Sequence, residues 1–233
     1  MKLLISPINP EEAKAATEGG ADIIDIKNPR EGSLGASFPW MITEIKDALP
    51  RHLEISATLG DMDNRPGFAS LAAYGLSLLD VEYIKAGLLV HKRKEALELA
   101  MSIVKAAEGS GSKVVLAGYG DFRGIRSINP VEIPEIARTS GAHGVMIDTY
   151  TKNGTSLFGH MGMEELETFV EEGKVHGLTV AIAGSITASH IPKLKTLKPH
   201  IVGVRGAVCT KNDRIHGKIE KEKVKEFKRQ LID

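Results

Sequence analysis

The chain has 233 residues, of which 42% are hydrophobic, so it can bury a sizeable core in one α/β domain or in two small ones. Thirty Lys and Arg residues balance thirty Asp and Glu residues, and a general nucleic-acid binder would carry a basic excess instead. No apolar run approaches the roughly 20 residues that span a bilayer, and the N-terminal apolar stretch is too short for a signal peptide. A single cysteine, Cys209, excludes an internal disulfide and a cysteine-rich metal site. These features predict a cytoplasmic globular protein with neither a nucleic-acid nor a membrane partner.

Eight short apolar segments rich in β-branched residues recur along the chain, and an amphipathic or alanine-rich segment follows each of them. The predicted strands cover residues 3–6, 22–27, 53–59, 82–86, 113–119, 143–148, 179–183 and 201–205. The predicted helices cover residues 10–18, 39–49, 68–79, 92–107, 130–139, 163–176, 188–194 and 218–231. Asn9-Pro10 and Asn129-Pro130 have the N-cap and first-turn proline that open helices. Because strands alternate strictly with helices, we expect a parallel sheet covered by helices.

Eight strand–helix units in this length, about 29 residues each, fit a (β/α)₈ TIM barrel better than an open doubly wound sheet. No linker or shift in composition divides the chain, so residues 1–233 are predicted to form one domain. Short strands are hard to count from one sequence, and losing one or two of them would favour the doubly wound sheet.

Charged side chains interrupt three predicted strands near their C-terminal ends, where the active sites of TIM barrels lie. Alternation along the second strand places Asp25 and Lys27 on one face, and the fourth strand carries Lys85. The sixth strand ends at Asp148, and Lys152 follows in a loop. We therefore expect three lysines and two aspartates to converge on one end of the barrel.

Such a cluster is suited to Schiff-base chemistry. Neighbouring ammonium groups and desolvation both disfavour the charged form of a lysine, and they free an amine that can attack a carbonyl. The carboxylates beside it would then hold and move protons. The alternative interpretation is that each lysine is solvated or is paired with a carboxylate for structural reasons.

Glycines follow the seventh and eighth predicted strands, where barrels commonly bind phosphate. Gly184, Ser185, Gly206 and Ala207 are the predicted phosphate-binding residues, although glycine also ends many strands without binding anything. The polar loop of residues 28–36 continues directly from Lys27, and it is either a mobile cover or an ordinary connection. The eight histidines lack the spacing of a metal site, so no metal is predicted.

One segment is more distinctive than these general features. It reads Asp25-Ile26-Lys27-Asn28-Pro29-Arg30-Glu31-Gly32-Ser33-Leu34-Gly35-Ala36, and Phe38-Pro39-Trp40 comes soon after it. Further matching segments are Tyr83-Ile84-Lys85-Ala86-Gly87, Asp148-Thr149-Tyr150-Thr151-Lys152-Asn153-Gly154 and Ala183-Gly184-Ser185. Together they resemble the (5-formylfuran-3-yl)methyl phosphate synthase family of methanofuran biosynthesis, and the resemblance covers nearly the whole chain.

The resemblance implies a lyase with a barrel fold that condenses two molecules of glyceraldehyde 3-phosphate into a phosphorylated furan aldehyde, releasing phosphate and water. It implies that Lys27 is the Schiff-base lysine and Lys85 the proton acceptor, with Asp25, Asp148 and Lys152 as supporting charged residues. No organic cofactor or metal is required by this chemistry. The sequence leaves two alternatives open: another Schiff-base phosphosugar aldolase, and a non-catalytic barrel that binds phosphate ligands. A homo-oligomer is compatible with a small barrel, but the sequence identifies no interface.

Overall fold

A computed structural model describes residues 1–232 as a closed barrel of eight parallel strands surrounded by helices. The strands are β1 (Lys2–Ile5), β2 (Ile23–Ile26), β3 (Glu54–Met62), β4 (Tyr83–Leu88), β5 (Lys113–Tyr119), β6 (Gly144–Asp148), β7 (Thr179–Ile182) and β8 (Ile201–Val204). Each strand pairs with its successor in the chain, and β8 pairs with β1 to close the ring. The predicted single-domain (β/α)₈ barrel is therefore confirmed, and the open doubly wound sheet is excluded.

The helices lie between the strands and after the last of them. They are α1 (Pro10–Glu18), α2 (Pro39–Asp47), α3 (Pro66–Ser77), α4 (Arg93–Ala107), α5 (Phe122–Ile125), α6 (Ile133–Ser140), α7 (Leu157–His160), α8 (Met163–Val175), α9 (Ile191–Leu197) and α10 (Lys221–Ile232). The helices predicted at residues 130–139 and 188–194 each begin with a 3₁₀ turn, Pro130–Glu132 and Ala188–His190. These turns lead directly into α6 and α9. The sequence prediction missed α5 and α7, because four residues are too few to show helical periodicity.

At two positions the local sequence explains where a helix begins. Asn9 is extended, and its side chain accepts a hydrogen bond from the Glu12 N–H at 2.8 Å, with Pro10 in the first turn of α1. Asn129 accepts in the same way from the Val131 N–H at 3.1 Å. Both cap the free N–H groups that every helix start leaves, as the sequence predicted.

The strands separate two apolar regions. Their outer faces pack against the helices, as Ile24 and Ile26 of β2 do. Their inner faces fill the lower part of the barrel with apolar side chains that include Leu4, Ile23 and Met146. Since successive side chains of a strand alternate between faces, Asp25 and Lys27 must point inward above this apolar plug.

Among residues 1–232, no helix is long and apolar enough to cross a membrane. The same described residues contain no group of three or more His, Cys, Asp or Glu side chains arranged to hold a metal ion. Cys209 is buried as a free thiol, and burial raises its pKa to about 11, which disfavours the reactive thiolate.

Candidate active site

Lys85 and Asp25 form an ion pair inside the barrel. Lys85 on β4 donates from Nζ to Oδ2 of Asp25 on β2 at 2.7 Å. The hydroxyls of Ser6 and Ser56 donate to the same carboxylate at 3.1 and 2.8 Å. Burial raises the pKa of Asp25, but the charges of Lys85 and Lys27 outweigh burial and hold that pKa below its ordinary value. Asp25 is thus a buried carboxylate that stays ionised.

A second charged group lies at the C-terminal ends of β2 and β6. Lys27 directly follows β2, and its Nζ lies 3.7 Å from Oδ2 of Asp148, the last residue of β6. Lys152 donates from Nζ to Oδ1 of the same carboxylate at 2.6 Å, and the Thr149 N–H donates to that oxygen at 2.7 Å. Burial opposes ionisation of Asp148, yet Lys152 and Lys27 hold its pKa well below the ordinary value. One carboxylate therefore serves two lysines.

The pKa of Lys27 is lower than that of a lysine in water. Only 7% of the residue is exposed, and this burial lowers the pKa of the amine from 10.5 to about 8. The negative charge of Asp148 opposes the change, whereas the positive charges of Lys85 and Lys152 reinforce it. At neutral pH about a tenth of such an amine is unprotonated, roughly 300-fold more than for a lysine in water.

All five predicted charged residues therefore come together, but in two layers. Lys27, Asp148 and Lys152 line the mouth, whereas Lys85 and Asp25 lie in the interior beneath them. Asp25 precedes Lys27 by two residues on the same strand, which places it roughly 6–7 Å deeper. The sequence analysis expected one cluster at the mouth, because side-chain alternation reports the face of a strand and not the depth within a barrel.

A cavity of about 300 Å³ opens at the mouth, beside Lys27. The four predicted phosphate-binding residues all line it, namely Gly184, Ser185, Gly206 and Ala207. Its charged lining side chains are four cations and one carboxylate: Lys27, Lys152, Arg205, Arg214 and Asp148. A cavity of this size with an excess of positive charge is suited to a small phosphorylated ligand.

The turn after β7 needs a glycine. Gly184 has φ +104° and Ser185 has φ +51°, so two successive residues adopt left-handed conformations. A Cβ on Gly184 would lie 3.0 Å from Cγ2 of Thr149 and 3.1 Å from its backbone nitrogen. Turns of this type can direct successive N–H groups toward an anion. The geometry of this turn is therefore compatible with a phosphate contact.

The segment of residues 28–36 crosses the mouth and is held at both sides. The N–H groups of Ser33 and Leu34 donate to Asp61 of β3 at 3.0 and 3.3 Å. The Ser33 hydroxyl donates to the Thr149 carbonyl beyond β6 at 2.7 Å, and the Leu34 side chain is fully buried. The segment is therefore anchored both to β3 and to the chain that follows β6.

The sequence analysis did not single out three residues near the mouth. Tyr119 of β5 donates its hydroxyl to Asp61 at 2.5 Å, so the anchor of the 28–36 segment is itself fixed by β5. Arg205 and Arg214 follow β8 and line the cavity. An arginine next to Gly206 was a visible signal, but nothing local to the sequence indicates that Arg214 returns to the mouth.

Comparison with known proteins identifies the family. Residues 3–228 match the family model described as 4-HFC-P synthase. The (5-formylfuran-3-yl)methyl phosphate synthase of Methanococcus maripaludis strain C7 is 48% identical over 230 residues, which covers 97% of this chain and 98% of the relative. The synthase of the same name from Archaeoglobus fulgidus is 51% identical over 213 residues, with 90% and 91% of the two chains covered. The 3-hexulose-6-phosphate synthase of Salmonella typhimurium has a TM-score of 0.68 at 20% identity, covering 99% of this chain and 100% of the other, and supports the fold alone. The chain is therefore an enzyme that belongs to the 4-HFC-P synthase family.

Proposed function

We propose that this enzyme condenses two molecules of glyceraldehyde 3-phosphate into 4-(hydroxymethyl)-2-furancarboxaldehyde phosphate for methanofuran biosynthesis, through a Schiff base on Lys27. The observation that carries the proposal is the position of Lys27: a buried amine with a pKa of about 8 on the wall of a cationic cavity. The name shared by the close relatives supports the identity of the product.

The atoms balance for this reaction. Two three-carbon phosphates supply the six carbons of the product, and one phosphate ester is retained. The remaining atoms leave as one inorganic phosphate and two waters. No oxidant or reductant is needed, and formation of the aromatic furan ring makes the sequence of steps favourable.

The first stage forms a carbon nucleophile. One triose phosphate reaches its ketone form by proton transfer, and the Lys27 amine adds to the carbonyl and expels water to give an iminium. The iminium withdraws electrons from the adjacent carbon, which loses a proton and becomes an enamine. The enamine attacks the aldehyde of the second triose phosphate and forms the new carbon–carbon bond. Loss of phosphate, ring closure, dehydration and release of Lys27 complete the furan.

The carboxylate of Asp148 lies where it can hold and return protons during these steps. It is 3.7 Å from Nζ of Lys27 and 2.6 Å from Nζ of Lys152. Lys152 lies on the cavity wall, so its ammonium can also stabilise the leaving phosphate. Backbone donors at Gly184, Ser185, Gly206 and Ala207 are proposed to hold the phosphate that is retained.

The resemblance assigns the role of proton acceptor to Lys85. Its Nζ donates to Asp25 in the interior, and Lys85 is not among the residues that line the cavity at the mouth, so a substrate in that cavity lies above it. We therefore propose that a proton reaches Lys85 by way of Lys27 or Asp25 and not by direct transfer from carbon. The ion pair also places a positive charge that lowers the pKa of Lys27.

Borohydride trapping tests the proposal. The protein is incubated with glyceraldehyde 3-phosphate and reduced, the modified peptide is identified by mass spectrometry, and the released product is followed by its ultraviolet absorbance. We expect an adduct on Lys27 together with a furan chromophore. Lys14→Met, on the exposed side of α1, is the matched control and should retain both signals. An adduct without furan would indicate a different aldolase, and neither signal from folded protein would indicate a phosphate-binding barrel.

A further inference from the structure

The loop after β8 is closed on itself and carries Arg214 to the mouth of the barrel. Its ends form an antiparallel bridge between Cys209 and Ile219, and we call the segment between them the 209–219 loop. Inside it, the carboxylate of Asp213 accepts hydrogen bonds from the N–H groups of Ile215 and His216 at 2.8 and 3.0 Å. These contacts hold the backbone on either side of Arg214.

The packing of the same loop leaves little freedom. A Cβ on Gly217 would lie 2.4 Å from the Asp213 carbonyl oxygen and 2.5 Å from that of Thr210, so the two turns of the loop touch at this glycine. The loop is also fixed to β8, because Nε of Arg205 donates to the Arg214 carbonyl at 2.7 Å. The position of Arg214 is therefore built into the fold and is not that of a surface side chain in solvent.

The guanidinium of Arg214 carries a buried donor that lacks a hydrogen-bond partner among residues 1–232. Its Nη2 is buried and has no hydrogen-bond partner within the described part of the chain, while the side chain lines the cavity of about 300 Å³. Burial lowers the pKa of Arg214 from 12.5, which shows that the protein alone does not compensate for removing this cation from water. Buried donors without partners are rare in native proteins, and each one requires a physical explanation.

The other cations of the cavity wall are already engaged. Arg205 donates from Nη1 and Nη2 to the Glu12 carboxylate at 2.6 and 3.3 Å, and from Nη1 to a backbone carbonyl at 2.7 Å. Lys27 and Lys152 share the carboxylate of Asp148. Arg214 is therefore the cation on this wall that faces the cavity without a carboxylate within ion-pair distance in residues 1–232.

We propose that Arg214 binds the phosphate group of the substrate, donating from Nη2 to a phosphate oxygen in the cavity that Gly184 and Ser185 also line. A planar guanidinium is well matched to phosphate oxygens, and the bond would satisfy the buried donor. Arg214 would then be the residue that makes the cavity select phosphorylated trioses over free ones. The identity of the triose rests on the proposed function, but the phosphate contact itself does not.

Calorimetric titration with inorganic phosphate tests this contact without requiring turnover. We expect Arg214→Gln to weaken phosphate binding by about ten- to a hundredfold, which is the range for a lost charge-assisted hydrogen bond. Lys218→Gln removes the same charge from an exposed position of the 209–219 loop and should change the affinity by less than about twofold. In borohydride trapping, Arg214→Gln should slow modification by glyceraldehyde 3-phosphate more than modification by unphosphorylated glyceraldehyde.

The outcomes separate this proposal from the proposed function. Unchanged phosphate affinity in folded Arg214→Gln, or no phosphate binding by the unmodified protein, would overturn the assignment whatever product the enzyme makes. Phosphate binding that is lost in Arg214→Gln, together with no furan formation by the unmodified protein, would support Arg214 and refute the furan reaction. If Arg214→Gln fails to fold, Arg214→Lys keeps the charge without the planar fork and should show an intermediate affinity. An affinity for Arg214→Lys equal to that of the unmodified protein would count against a bond from Nη2.

Discussion

Both charged layers of the barrel consist of lysines and aspartates, but the distances within their ion pairs differ. In the interior, Lys85 is the one cation within ion-pair distance of Asp25 among residues 1–232, and it donates to Asp25 at 2.7 Å. At the mouth, Lys27 stands 3.7 Å from Asp148, whose other oxygen is taken by Lys152 at 2.6 Å. At this distance Asp148 only partly stabilises the charged form of Lys27. The effect of burial is larger and lowers the pKa of Lys27 to about 8. A counter-charge that is shared and distant thus leaves Lys27 with a lowered pKa, whereas the close Lys85–Asp25 ion pair holds the pKa of Asp25 below its ordinary value.

The largest effect is expected from removing the amine of the mouth layer. Lys27→Met eliminates the proposed nucleophile, and furan formation should fall on the order of 10⁴-fold or more. The fold should survive, because Asp148 keeps its closer partner Lys152. Absorbance of the product measures the rate, and a thermal melt checks the fold. Near-normal furan formation by this variant would show that the nucleophile is elsewhere.

Removing one charge of the interior ion pair should lower the stability of the protein. Asp25→Asn leaves the Lys85 ammonium buried without its counter-charge, which should cost about 3–5 kcal/mol of unfolding free energy. The double variant Asp25→Asn with Lys85→Met removes both charges and should recover part of that loss. Urea unfolding followed by circular dichroism measures each variant. A double variant no more stable than Asp25→Asn would argue that the ion pair is not what stabilises this layer.

The glycine of the phosphate turn should show a smaller effect. Gly184→Ala places a Cβ near Thr149 at a backbone φ of +104°, and the expected loss is about 1–3 kcal/mol together with a raised KM. Gly177→Ala is the control, because that glycine also has a positive φ, +69°, but has open space around it. Equal losses in the two variants, without a change in KM, would mean that only backbone strain matters at Gly184.

The smallest expected effects are shifts in pH dependence, which test how the charges of the mouth layer set the pKa of Lys27. The rate of imine trapping should rise with pH through about 8, as Lys27 loses its proton. Asp148 raises the pKa of Lys27, so Asp148→Asn should move this rise to lower pH; Lys152 lowers that pKa, so Lys152→Met should move it to higher pH. Initial rates of borohydride trapping between pH 6 and 10 measure both shifts. Shifts in the same direction would contradict the idea that Asp148 and Lys152 set the pKa of Lys27.

Much of the architecture is present in the local sequence. Each of the eight predicted strands overlaps an observed strand, and β5 and α1 agree to the residue. Asparagine caps and apolar periodicity are properties of short segments, so they can be seen without knowledge of the fold. The same holds for the alternation that turns Asp25 and Lys27 to the inside of the barrel.

Several interactions around the mouth of the barrel join distant parts of the chain. Glu12 engages Arg205, the 28–36 segment is anchored on Asp61, and Arg214 reaches the cavity by way of the 209–219 loop. No local pattern predicts such partners, since residues far apart in sequence meet only in the folded barrel, and Glu12 meets Arg205 where β8 pairs with β1. The distances that result from closure decide which cations are neutralised.

By itself, the sequence determined the class of fold, the strand faces and the family motif, because each depends on residues that are neighbours in the chain. Only the tertiary structure decided the depth of Lys85, the sharing of Asp148 and the unsatisfied donor of Arg214. The physical reason is that a pKa and a hydrogen bond depend on burial and on distances of a few ångströms, and these exist only once the barrel has closed.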